Sequence, residues 1–428
     1  MIRIVTTETP YKVGETVKLS GWVHKQRYLS KVTFLLLRDR GGIIQCILEK
    51  EWLNFRVENE SIVEIIGDVV ESKKQKLGVE IHVRNIRVIN KCQEAIPFEI
   101  NQSELKAGMD HLLNHRTISL RHEKNQAIFK IQSVLSQSFG DFFTSHGFTR
   151  IFTPKIVSQG AEGGANVFSL NYFGKNAHLA QSPQFYKQMM VASGFERVFE
   201  IGQVFRAEAH HSSRHLNEYV SLDVEIGFID DVKEIMEWET DVLKYMISRV
   251  NDQCKRELEI LDVKLPCITE IPCLTLYEAQ EILSSKYQKA SPEGDLDSEG
   301  ERLIGEYVRE KYNSEFVFIT NYPCETRPMY TMPSNDSALT ESYDLLYKGL
   351  EITSGGLRIH DYEMLLQSFS SKGLNPNDFA SYIEMFQYGV PPHGGFAIGL
   401  ERLTANMTGV GNIRGATAFP RDLERLIP

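Results

Sequence analysis

Residues 199–227, FEIGQVFRAEAHHSSRHLNEYVSLDVEIG, decide how this chain folds. FEIGQVFRAE and YVSLDVEIG alternate apolar and polar residues and are rich in β-formers. The loop between them holds two histidines, two serines, Arg214, His215 and Asn217. The pattern predicts an antiparallel hairpin. A period of two places Arg206 and Glu208 on one face of the first strand and Asp223 and Glu225 on one face of the second. Charges of both signs on one face also describe a solvated sheet surface. The loop argues for the other reading. A cationic, hydrogen-bond-rich loop above a fixed guanidinium is suited to a polyphosphate, which takes planar paired donors and closing charge.

Outward from the hairpin lie FTPKIVSQGAEGGANVF from Phe152, AQSPQFYKQ from Ala180 and GGFAIGLERL from Gly394, with GWVHKQRYLSKVTFLLLRDRGGIIQ near the N-terminus. In order and separation these stretches resemble the class II aminoacyl-tRNA synthetases, and among them the aspartyl enzymes of the compact archaeal and eukaryotic type. The resemblance spans nearly the whole chain and rests on five motifs in one order, which makes it specific. It implies an α+β catalytic domain, an antiparallel sheet flanked by helices, behind an N-terminal OB barrel.

Composition agrees with a globular enzyme. The 428 residues suffice for two or three domains with substantial cores. No signal pattern opens the chain and no apolar run is long enough to span a bilayer, so a cytoplasmic location is expected. Six cysteines, at 46, 92, 254, 267, 273 and 324, show neither CxxC spacing nor a histidine cluster, which argues against structural zinc and disulfides. The net charge of −10 looks wrong for a nucleic-acid binder. It is unevenly spread: Lys and Arg number 16 against 13 Asp and Glu through residue 100, and 31 against 44 beyond it. A mildly basic module on an acidic body suits local patches that meet RNA.

Within residues 1–95, the runs TVKLSGWVH, VTFLLLRDR, IIQCILE, SIVEIIGDVV and VEIHVRNIRVI alternate and are punctuated by glycine, as in a five-stranded OB barrel. Such barrels stack and hydrogen-bond single-stranded bases. By resemblance Phe34 is the anticodon-stacking aromatic and Gln45 a base reader, with Arg27 beside them; from the residues alone, Phe34 in VTFLLL is equally a core residue. Residues 96–124 read as a linker and hinge, with Pro97 barring a helix at its start. By the same resemblance residues 125–428 would form the catalytic domain. It opens on a helix over 125–146 with an apolar stripe from Ile128 to Phe143, ended by Gly147. The strand to Pro154 resembles a dimerisation motif, so a homodimer is expected.

The resemblance assigns the site. Glu162, Ser182, Gln184 and Asp223 would hold the amino group of L-aspartate, and Lys187 and Arg358 its side-chain carboxylate. Lys187 also reads as a snorkelling surface lysine. ATP would meet Arg206, Glu208, Arg214, His215, Leu216, Tyr219, Glu351, Gly399 and Arg402, with Arg206 and Arg402 as the catalytic pair. Mg²⁺ would be held by Glu351 and Ser354, with Asp344 as a third ligand. Residues 229–340 read as decorating helices with no chemistry. The anticodon set includes His24 and Lys76, a mixed pattern that leaves tRNA(Asn) open as a substrate beside tRNA(Asp). Charging both would call for a partner amidotransferase. An asparaginyl enzyme and a catalytically dead RNA-binding paralogue are the rival readings.

Overall fold

The computed structural model describes residues 1–428 apart from 162–165, 210–211 and 337. Strands β1 (Thr16–Tyr28), β2 (Thr33–Asp39), β3 (Gly42–Leu48), β4 (Ile62–Glu71) and β5 (Val79–Asn90) close into a barrel in the order β1-β2-β3-β5-β4. Alternation drives the closure. Leu35, Leu37, Ile44 and Cys46 fill the interior, while Phe34, Leu36 and Gln45 on the same strands face outward. These five strands are the five alternating runs of the sequence, and Phe34 lies outside the core.

Residues 96–124, expected to be a linker, are partly folded. Helices α1 (Met109–Asn114) and α2 (Arg116–Ser119) lie in them, and Met1–Glu123 forms one compact unit distinct from Lys124–Pro428. Helices of 6 and 4 residues are too short to print a periodic pattern. Ile100, Leu113 and Arg116 are buried all the same.

The second unit begins within α3 (Glu123–Ser145), whose Ile131, Leu135, Phe139 and Phe143 are wholly buried. Strand β6 (Thr149–Arg150) follows, then a small sheet of β7 (Ile156–Val157), β8 (Ser169–Tyr172) and β9 (Lys175–Leu179), and helix α4 (Gln184–Met190). The predicted hairpin is β10 (Arg197–Phe205) and β11 (Glu218–Gly227), in register from Arg197 opposite Ile226 to Phe205 opposite Glu218. The first strand therefore stops one residue short of Arg206. After it come α5 (Val232–Gln253), α6 (Lys255–Leu261), β12 (Cys273–Thr275), α7 (Leu276–Tyr287), α8 (Ser298–Tyr312), β13 (Phe316–Thr320), β14 (Ser342–Tyr347), β15 (Leu350–Arg358), α9 (Tyr362–Ser371), α10 (Ala380–Ile383), β16 (His393–Gly399) and α11 (Leu400–Thr408). Eight strands form one sheet in the order β12-β13-β14-β15-β16-β11-β10-β6. Its interior pairs are antiparallel, and only the edge pairs β12/β13 and β10/β6 are parallel. Helices α3 and α5 bury their apolar stripes against one side of it.

Under that sheet, the fully buried Glu239 of α5 accepts a hydrogen bond from the Tyr343 hydroxyl at 2.7 Å. Burial pushes its carboxyl from 4.5 up to about 7. The folded chain thus holds this proton more tightly than the unfolded chain. The stabilisation is complete below about pH 4.5 and is lost as pH rises through about 7. Glu239→Gln keeps an acceptor for Tyr343 and removes the titration. At about pH 8 the variant should exceed the parent in unfolding free energy by on the order of 1–3 kcal/mol. Denaturant titrations across pH check this, and curves that stay parallel would refute it.

Candidate active site

A cavity of about 290 Å³ opens on the sheet face formed by β11, β15 and β16. One end of it is built on β11. Asp223 and Glu225 lie two apart on that strand and are 1% and 0% exposed. Lys187, one turn into α4 and 0% exposed, reaches Asp223 Oδ1 at 2.9 Å and Glu225 Oε2 at 3.4 Å. Arg358, at the end of β15, donates from Nε to Glu225 Oε1 at 3.0 Å and from Nη2 to the Gly395 carbonyl at 3.0 Å. Gln184 donates to Glu225 Oε2 at 3.3 Å. Burial works against the Glu225 anion, yet the charges of Arg358, Lys187 and His393 outweigh it and hold the carboxyl below its ordinary value. Gly395 is required here: a Cβ would fall 2.6 Å from Glu225 Oε2.

At the other end, Glu351 and Ser354 act together. Residues three apart on a regular strand face opposite ways, but β15 carries one extra residue opposite Leu345–Leu346. That bulge turns both side chains to the cavity, where Ser354 Oγ donates to Glu351 Oε1 at 3.1 Å. Arg402, in the first turn of α11, donates to the Glu351 carbonyl at 3.0 Å and lies 3.5 Å from its carboxylate. Arg206 lies 4.0 Å from Glu208, with its guanidinium 5.9 Å from the centre of the Tyr219 ring. His215 Nδ1 meets Ser212 Oγ at 2.6 Å.

The fold thus brings Ser182, Gln184, Arg206, Glu208, Arg214, His215, Leu216, Tyr219, Asp223, Glu351, Ser354, Arg358, Gly399 and Arg402 to one cavity. Glu162 lies outside the described residues. Two expectations need correction. Lys187 does not line the cavity: its ammonium is sealed behind Asp223 and Glu225, so the pair with Arg358 is balanced by two buried carboxylates. Asp344 is not offered to a metal. Both of its oxygens lie in the fork of Arg327, at 3.0 and 2.8 Å, and it is absent from the cavity wall. Arg327, Tyr330 and Thr331 do line the cavity, although residues 229–340 had no predicted chemistry. Glu225 was read as a strand residue alone and proves to be the group on which Lys187, Arg358 and Gln184 converge.

On the barrel, cross-strand register places Arg27 opposite Phe34 and Leu36 opposite Gln45, so Arg27, Phe34 and Gln45 share one outer face. Gln45 donates to Glu80 at 3.0 Å. His24 occupies a bulge in β1, where its Nδ1 lies 2.9 Å from Arg38 Nη1, and Arg38 is itself paired with the buried Glu60 at 2.6 Å. Burial, then the Arg38 charge, pull the His24 imidazole down to about 4, so it is neutral at physiological pH. Nδ1 therefore accepts, and Nε2 carries the proton. Lys76 is exposed on the turn between β4 and β5.

Comparison with known proteins agrees with this geometry. A family described as class II tRNA synthetases (D, K and N) matches residues 108–423, and an OB-fold nucleic acid binding domain matches residues 17–89. This chain belongs to the class II tRNA synthetases. It is 46% identical to an aspartate–tRNA(Asp/Asn) ligase of Deinococcus radiodurans, covering 100% of this chain and 99% of that one. It is 41% identical to an aspartate–tRNA(Asp) ligase of Pyrococcus furiosus over 97% of each. Among solved structures, an asparaginyl-tRNA synthetase from Pyrococcus horikoshii complexed with asparaginyl-adenylate superposes with a TM-score of 0.94 at 30% identity, over 100% of both chains. The aspartyl-tRNA synthetase from Entamoeba histolytica gives 0.90 at 32% identity, over 100% of this chain and 93% of that one.

Proposed function

We propose that the chain joins L-aspartate to tRNA in two steps, through an aspartyl-adenylate made from ATP. The charge balance of the amino-acid end carries the reading. Asp223 is buried, lines the cavity, and its Oδ2 has no hydrogen-bond partner among the described residues, which suits it to the substrate ammonium. Lys187 and Arg358 then stand against Glu225 alone, leaving one positive charge for a side-chain carboxylate. A neutral amide would leave that charge uncompensated, which disfavours asparagine. Ser182 and Gln184 would orient the substrate.

The aspartate α-carboxylate attacks the α-phosphorus of ATP, an O–P bond forms as the bond to pyrophosphate breaks, and the terminal ribose hydroxyl of tRNA later displaces AMP from the aspartyl carbonyl. The substrate carboxylate is already anionic, so no side chain is needed as nucleophile and rate comes from positioning and charge. Arg206 faces the α-phosphate, Arg214, His215 and Arg402 the distal phosphates, Leu216, Tyr219 and Gly399 the adenosine, and Glu208 the adenine or the incoming tRNA end. Glu351 and Ser354 offer one carboxylate and one hydroxyl, a set fitting Mg²⁺, which keeps water and takes its other ligands from phosphate. When bound, that ion would neutralise charge developing on the phosphates.

Arg27, Phe34, Gln45, His24 and Lys76 would read the anticodon, and the His24 pattern favours acceptance of tRNA(Asn) as well as tRNA(Asp). Asp-tRNA(Asn) would then pass to an amidotransferase. Among the described residues no helix is long and apolar enough to cross a membrane. The family resemblance is what favours a cytoplasmic location. Phe152, 81% exposed two residues beyond the sheet edge strand β6, suits burial against a second copy, and sedimentation should give twice the chain mass. Charging assays with the two isoacceptors test the function. Aspartate on both is expected, aspartate on tRNA(Asp) alone would remove the relaxed-specificity reading, and no aspartate on either would sink the proposal.

A further inference from the structure

Glu301 lies in the first turn of α8, in the region that reads as decoration, yet it is 8% exposed and touches Arg214 and Glu351, both of which line the cavity. One of its oxygens, Oε2, accepts from two elements at once. The guanidinium of Arg214, on the hairpin loop, pairs with it, and the Glu351 backbone N–H of β15 donates to it at 2.9 Å. The carbonyl of Glu351, in the next peptide along, is held by Arg402, so Glu351 is fixed at both its N–H and its carbonyl. The helix is placed to do this by backbone contact with the β14–β15 turn. A Cβ at Gly305 would fall 2.6 Å from the Gly349 nitrogen, and one at Gly349, whose φ is +73°, 2.6 Å from the Arg302 Cα. No larger residue fits at either position, and the close approach sets Glu301 beneath Glu351.

We propose that Glu301 is a positioning residue that orders Arg214 and the Glu351 peptide for the phosphates of ATP. This rests on the reading above that Arg214 faces the distal phosphates. A guanidinium has five N–H donors in a rigid fork, so one edge can stay on Glu301 while the rest engage phosphate. An arginine already held in place loses less side-chain freedom on binding than one recruited from solvent. Burial pushes the Glu301 carboxyl up to about 7 and the Arg214 charge works against that rise, so its anion depends on that cation. Glu301 therefore couples the hairpin loop to the strand carrying Glu351 and Ser354, and acts on ATP through Arg214 without touching the chemistry.

The test is calorimetric titration with ATP and, separately, with L-aspartate, on the full chain. Glu301→Gln keeps an acceptor for the Glu351 N–H and loses the charge on Arg214. It should weaken ATP binding about tenfold and leave aspartate binding and the thermal midpoint unchanged. Arg214→Ala should weaken ATP binding too, and adding Glu301→Gln to it should cost nothing more, because the residue through which Glu301 acts is gone. Losses that add, equal weakening of ATP and aspartate, unchanged ATP binding, or tighter binding with Glu301 acting as a competitor for Arg214 would each overturn the proposal. The readout is separable from the function itself. Failure to charge tRNA with aspartate would sink that reading while leaving the ATP coupling measurable, and normal charging with no Glu301 effect would sink this one alone.

Discussion

Arg206→Ala should lower aspartate-dependent pyrophosphate exchange by about 10³-fold or more while leaving the fold intact. Both halves of that expectation come from where Arg206 sits. Its backbone is held by the hairpin: its N–H donates to the Asn217 carbonyl at 2.9 Å, and its own carbonyl accepts from the Asn217 side chain at 2.7 Å. Removing the side chain disturbs neither bond. Its side chain is 39% exposed and lies 4.0 Å from that of Glu208, which is 23% exposed, so truncation strands no buried charge. The guanidinium faces the cavity, where on the proposed reading attack on the α-phosphate would gather negative charge that water would otherwise have to reorganise to meet. Exchange kinetics beside a thermal melt decide the matter. Exchange within tenfold of the parent removes Arg206 from the catalytic pair, and loss of the cooperative melt makes it a folding residue.

The parts of this molecule that were legible in the sequence are those whose signal is local. VTFLLLRDR and IIQCILE print a period of two, and both became barrel strands with alternate residues inside. The hairpin and the helices α3, α5, α7 and α8 were equally plain. Most of the cavity was legible through motif order, because each motif is a short run that carries its own residues. What was lost is contact between distant runs. Arg214 and Glu301 are 87 residues apart, and nothing local to α8 sets Glu301 off from the other acids of an amphipathic helix. Asp344 looked like a metal ligand because it is near Glu351 and Ser354 in the chain, whereas Arg327, 17 residues upstream, takes both its oxygens. Glu351 and Ser354 share a face only because of a bulge, and a bulge leaves little trace in one strand's composition.

Lys187 separates a substrate contact from a part of the wall. Lys187→Met should cost about 3–5 kcal/mol of stability, a larger effect than removal of a residue that only met substrate. Its ammonium is 0% exposed, lies 2.9 Å from Asp223 and 3.4 Å from Glu225, and donates to the Val224 carbonyl at 3.4 Å. Methionine fills a similar volume and leaves two buried carboxylates side by side, with Arg358 to answer only Glu225. The pH dependence follows from Glu225. Its carboxyl is held below the ordinary 4.5 against the cost of burial, so its contribution to stability is present above about pH 4.5 and fades as pH falls below it. The deficit of the variant should therefore be greatest near neutral pH and shrink toward acid, where the stranded carboxylates can take up protons. Adding Asp223→Asn removes one of those charges and should restore part of the stability, yet not aspartate activation, because Asp223 is also the candidate partner of the substrate ammonium. Denaturant titration of the single and double variants at neutral and acid pH measures all of this. A Lys187→Met protein as stable as its parent, with only its KM for aspartate raised, would return Lys187 to the cavity as a direct ligand of the substrate.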